Sequence, residues 1–119
     1  MYLIRAESYA RKGDTQSAMS DLNTLLSARW TSEAFTQLTA TDASDALRQI
    51  LLERRKELLY RGLRWTDLRR LNKNPATAVT LTRVVGMQTY TLPPGDPRYV
   101  YAIPDNVISF DPTMPQNIR

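Results

Sequence analysis

The sequence predicts a mainly helical fold, and three observations carry that prediction. Apolar residues recur at three- and four-residue steps through most of the first 75 positions, helix-ending residues punctuate that rhythm, and all seven prolines lie from Pro75 onward. Residues 1–75 therefore read as helical and residues 76–119 as mostly irregular chain, within a single domain spanning 1–119. A chain of 119 residues, 42% of them hydrophobic, has apolar mass for one core.

The elements follow in order. Leu3, Ala6, Tyr9 and Ala10 set a first helix that begins directly after Met1 with no capping residue ahead of it, so the start reads as truncated. Gly13 suits a left-handed helix end, and Asp14 offers a side-chain oxygen to cap a second helix running to about Arg29, with Ala18, Leu22 and Leu25 facing inward. The spacing Ala6, Tyr9, Gly13, Ala18, Leu22 resembles one tetratricopeptide unit and fits an ordinary helical hairpin equally well. Either way the pair must pack on further helices.

Residues 30–41 are threonine-rich and read as a connecting loop anchored by Trp30, Phe35 and Leu38. Asp42 or Ser44 can cap the third helix, whose stripe Leu47, Ile50, Leu51, Arg54, Leu58, Arg61 runs from apolar residues into arginines. Gly62 is expected to end it, a shorter helix to span 65–71, and Asn72, Asn74 and Pro75 to stop that one. Val79, Leu81, Val84 and Val85 suggest extended chain, and Pro104 with Asp105 suggests a helical turn over 105–109.

Composition narrows the chemistry. Without cysteine there is no disulfide, thiolate ligand, thiol nucleophile or lipid-anchoring thiol in the sequence, and without histidine the commonest base and metal ligand at neutral pH is missing. No run approaches the roughly 20 apolar residues of a membrane span, so the chain as given reads as soluble. No catalytic residue, cofactor or metal is expected.

The net charge of +4 is concentrated: between Arg48 and Arg70 eight basic residues face three acidic ones. Glu53 and Glu57 stand four apart, a spacing that suits acid–base work, but Arg54, Lys56, Arg61 and Arg64 would hold both carboxylates charged. Nucleic-acid binding is disfavoured because the basic residues spread around the helix instead of forming one stripe. An ion network explains more of the pattern: Glu57 with Arg61, Arg54 reaching across the Gly62 turn, and Asp67 opposing Arg64 and Arg70. Such a network would brace a helix-turn-helix corner, with Trp65 as its apolar wedge and an acceptor required for the indole N–H.

This segment resembles the SusD/RagB family of outer-membrane nutrient-binding lipoproteins, whose C-terminal region carries a pattern close to I-L-x-E-R-x-x-E-L-x-x-E-G-x-R-W-x-D-L-x-R. The matching residues are Ile50, Leu51, Glu53, Arg54, Glu57, Leu58, Gly62, Arg64, Trp65, Asp67, Leu68 and Arg70. Tyr2, Leu3, Ala6, Glu7 and Gly13, then Ala18, Leu22 and Asn23, are similar to a family helix pair. Tyr101, Ile103, Pro104, Ile108, Asp111, Pro112, Gln116 and Asn117 are similar to the family's ending. Arg61 departs from the pattern, standing where the family usually has an acidic residue, and Ile118 replaces the usual final proline.

The resemblance implies a C-terminal part of such a protein, with no enzymatic activity. It implies capture of oligosaccharide or another nutrient at the cell surface, in partnership with a SusC-like TonB-dependent transporter, and a membrane association made only through a lipid anchor absent from this chain. A helical-repeat protein–protein adaptor, using the groove of the first helix pair, is the alternative function. Tyr90, Tyr99 and Tyr101 lie in proline-rich loops and are the local candidates for stacking on a sugar ring, although packing the tail onto the helices is the commoner role for such aromatics.

Overall fold

Gly13 and Asp14 separate the first two helices by acting on opposite ends of them. Gly13 takes a left-handed conformation (φ 91°) after α1 (Tyr2–Lys12), its N–H donating to the Ala10 carbonyl at 3.1 Å while the Asp14 N–H donates to that of Tyr9 at 2.9 Å. Asp14 then accepts from the Ser17 N–H at 3.0 Å, capping α2 (Thr15–Ser27) and holding its own carboxyl below the ordinary range. Both roles match the sequence expectation.

The computed structural model describes residues 1–31 and 34–118, and the chain divides into two compact units, Met1–Arg61 and Gly62–Arg119. It is mainly helical. Among the described residues no helix is long and apolar enough to cross a membrane.

In the first unit α1 and α2 form a hairpin against which α3 (Ala43–Glu57) packs. Ala6, Ala18, Leu22, Ala46 and Ile50 are fully enclosed in the core where the three helices meet, the alanines permitting close approach. A two-point ion pair crosses the hairpin: Arg5 donates to both oxygens of the buried Asp21, at 2.6 Å each. Glu7, also buried, accepts from Arg11 one turn along α1 at 2.9 Å. Asp42, not Ser44, caps α3, accepting from the Asp45 N–H at 2.8 Å.

Amide side chains hold the α2–α3 connection. Asn23 accepts from the Leu38 N–H at 2.8 Å and donates to its carbonyl at 2.9 Å, reproducing both bonds of a strand neighbour, and Gln49 donates to the Thr39 carbonyl at 2.9 Å. Of the three expected anchors only Phe35 packs against the core; Trp30 and Leu38 stay exposed, and Asn23 fixes the Leu38 stretch through its backbone instead. The part of this loop at positions 32 and 33 lies outside the described residues.

The third helix stops at Glu57, a turn earlier than Gly62 was expected to stop it. Tyr60 already occupies the left-handed region at φ 58°, with Gly62 following at φ 71°, so two left-handed residues turn the chain out of the helix. Arg61 consequently lies beyond α3 and does not stack one turn from Glu57 on a helix face. The short helix does form, as α4 (Arg64–Leu71), with Leu68 and Leu71 buried.

The second unit continues with a single 3₁₀ turn at Pro75–Thr77, then β1 (Leu81–Val85) and β2 (Gln88–Leu92) in an antiparallel hairpin, Leu81 opposite Leu92 and Val85 opposite Gln88. The extended stretch was legible; its partner strand was not. Gly86, at φ 59°, supplies the positive φ that a two-residue type II′ hairpin turn requires at its first position. A second 3₁₀ turn at Pro97–Tyr99 leads to α5 (Asp105–Phe110), which Pro104 opens as expected.

Candidate functional site

Two of the three tyrosines singled out in the sequence, Tyr99 and Tyr101, meet Trp65 in the second unit. Placed in the first turn of α4, Trp65 lies 4.9 Å from the Tyr99 ring in a tilted arrangement and 5.5 Å from the Tyr101 ring, nearly parallel at 19°. Its indole N–H donates to the Tyr99 carbonyl at 3.3 Å, the acceptor its half-buried position demanded. Trp65 thus holds the 99–101 segment through two ring contacts and one hydrogen bond.

Asn72, at the end of α4, is the hub of this arrangement. It donates to the Tyr99 hydroxyl at 3.0 Å and accepts from the Val79 N–H at 2.9 Å, so one amide ties both following segments to the helix end. Asp96 caps the turn before Tyr99 by accepting from the Arg98 N–H at 2.9 Å. It also accepts from the Arg98 guanidinium at 2.9 and 2.7 Å, and these bonds push its carboxyl down to about 2. Arg98 in turn donates to the Thr91 carbonyl at 2.8 Å, anchoring the ribbon.

The tail closes over the same segment. Gln116 accepts from the Ile103 N–H at 2.8 Å and donates to its carbonyl at 2.9 Å, and Asn117 donates to the Tyr101 carbonyl at 2.7 Å. These contacts determine what each tyrosine can do. Tyr99, only 6% exposed, has its ring and hydroxyl committed to Trp65 and Asn72, which removes it as a ligand platform. Tyr101, 68% exposed, rests on Trp65 with much of its ring open to solvent. Tyr90, 56% exposed, projects from β2 opposite Arg83, and none of the ring contacts found involves it.

The charged motif is distributed between the two units. In the first, Glu57 takes a two-point contact from Arg29, Nε to Oε2 at 3.2 Å and Nη2 to Oε1, and Glu53 pairs with Lys56 one turn along. Glu57 was expected to pair with Arg61; Arg29, at the end of α2, holds it instead. In the second, Asp67 accepts from Arg70 at 3.3 Å as expected. The motif's two glutamates thus each face a cation.

Sequence reasoning missed the use of Asn23, Asn72 and Gln116 as substitutes for backbone partners. It also missed a groove of ≈ 460 Å³ between α2 and residues 35–40. One signal was available for the groove: α2 contains a single ionisable residue, Asp21, leaving its outward face uncharged.

The family model described as the SusD family matches residues 1–119, the whole chain. No curated protein matches it.

Proposed function

The chain belongs to the SusD family, and from that membership we propose that it serves non-catalytic capture of a nutrient at the outer membrane, the nutrient being a glycan. The family match over the whole chain is the observation that carries this reading. In this proposal residues 1–119 form one segment, the C-terminal part of a cell-surface lipoprotein that hands its ligand to a SusC-like TonB-dependent transporter. The α1–α2 hairpin is its tetratricopeptide-like element.

The geometry fits a binding role. In the second unit Asn72 ties Tyr99 to the end of α4, Arg98 holds the β2 strand, and Gln116 and Asn117 hold the 101–103 segment, and such pinned loops present side chains in reproducible positions. Within it Tyr101 is the favoured contact for a sugar face, since Trp65 holds the ring while much of it stays open. Tyr90 is the second contact.

Co-purification tests the partnership. The full-length protein, affinity-tagged and extracted in detergent from outer membranes, is expected to bring down a TonB-dependent transporter in stoichiometric amount. Recovery from the soluble fraction without a transporter would overturn the reading.

A further inference from the structure

The outward face of α2 differs in chemistry from the rest of this charge-rich chain. Although 24% of all residues are charged, none of the described residues lining the groove between α2 and residues 35–40 is ionisable. The one ionisable group on α2, Asp21, is turned away and neutralised by Arg5. At ≈ 460 Å³ the groove falls within the roughly 300–1,000 Å³ of small-ligand clefts.

Its lining has two parts. Gln16, Ser20 and Gln37 offer amides and a hydroxyl that both donate and accept. Thr24 and Ser27 spend their hydroxyl protons on the Ser20 and Thr24 carbonyls, at 2.8 and 3.0 Å, and present lone pairs as acceptors. Buried Met19 and half-buried Phe35 add apolar surface beneath these groups.

We infer that this groove is a subsite for an uncharged, hydroxyl-rich ligand, a segment of neutral oligosaccharide; the inference rests on the glycan-capture reading above. Sugar hydroxyls match side chains that donate and accept, and C–H faces match the Met19 and Phe35 surface. A charged ligand would lose hydration there without meeting a counter-charge. A peptide adding as a strand to residues 35–41 would find backbone groups already engaged: Leu38 N–H and carbonyl on Asn23, Thr39 carbonyl on Gln49, Thr41 N–H on Asp45. These same bonds fix the far wall of the groove in place.

The test is calorimetric titration of the full-length protein with neutral hexasaccharides of glucose, xylose and mannose, and with a uronate-containing hexasaccharide. Ser20→Arg puts a cation and bulk into the groove at an exposed helical position where arginine is a good helix former, so the fold is retained. It is expected to weaken the neutral ligand about tenfold and to shift preference toward the uronate, while a Gln16→Ala/Gln37→Ala double variant weakens the neutral ligand several-fold. Wild-type binding that both variants leave unchanged overturns the subsite and leaves the capture reading standing. Failure of the wild type to bind any hexasaccharide overturns both.

Discussion

Gln116 gives the sharpest test of how the tail is held. Its amide makes both bonds of a strand partner to Ile103 and accepts a third from the Asn117 N–H at 2.9 Å. At about 0.5–1.5 kcal/mol per neutral hydrogen bond, and toward the low end because the site is exposed, Gln116→Ala should cost the closed tail about 1–2 kcal/mol. That corresponds to a rise of roughly 5–30-fold in the open population.

Gln116→Glu keeps the acceptor oxygens but sets a carboxylate oxygen against the Ile103 carbonyl where the amide donated. The other carboxylate oxygen still accepts from the Ile103 and Asn117 N–H groups, so what the variant loses is the bond to the Ile103 carbonyl. The variant is therefore expected to hold the tail less tightly than wild type at neutral pH. Hydrogen–deuterium exchange at Ile103 and Asn117 in the full-length protein reads both effects. Unchanged exchange at Ile103 in Gln116→Ala, or a Gln116→Glu variant indistinguishable from wild type at neutral pH, would refute the reasoning.

Two further outcomes are expected. Gly13→Ala places a Cβ in open space but at φ 91°, so the cost is conformational alone, about 1–2 kcal/mol, read as a lowered thermal midpoint with unchanged helix content by circular dichroism. In acid, Asp14, Asp45, Asp96 and Asp111 all have folded pKa values below the ordinary 3.8, Asp96 at about 2, through bonds to Ser17, Arg48, Arg98 and Thr113 respectively. Their stabilisation is fully present above pH 3.8 and is lost as pH falls toward 2, so unfolding midpoints should be flat above about pH 5 and decline through that window.

What was legible in the sequence was local. Gly13 and Asp14 announce a helix end and a cap because the bonds they make reach no further than five residues, and Pro104 announces α5 for the same reason. The ion pairs were only half legible. Asp67 and Arg70 are three apart on one helix, whereas Glu57 meets Arg29 from 28 positions away, a choice fixed by how α2 and α3 approach. The arrest of α3 at Glu57 hinges on Tyr60 adopting a left-handed backbone, for which its side chain gives no signal.

The β-hairpin escaped for a different reason. Most of its residues are exposed: β1 shows no alternation of apolar and polar residues, and in β2 the alternation is confined to Thr89-Tyr90-Thr91-Leu92, too short a run to mark a strand. The aromatic site was legible in membership, since Trp65, Tyr99 and Tyr101 were all singled out, but not in roles. Nothing in the order Tyr99-Val100-Tyr101 says which ring Asn72 will capture and which will rest on Trp65 facing solvent. The amide clasps were illegible because asparagine and glutamine suit loops in general, and only the fold brings Asn23 to Leu38 or Gln116 to Ile103.

The central claim, capture without chemistry, comes down to one measurement: titration of the full-length protein with a neutral oligosaccharide panel, with the recovered ligand then analysed by chromatography. Saturable binding of at least one oligosaccharide, returned intact after prolonged incubation, is the predicted result. Shortened products, or no binding across the panel, would contradict it.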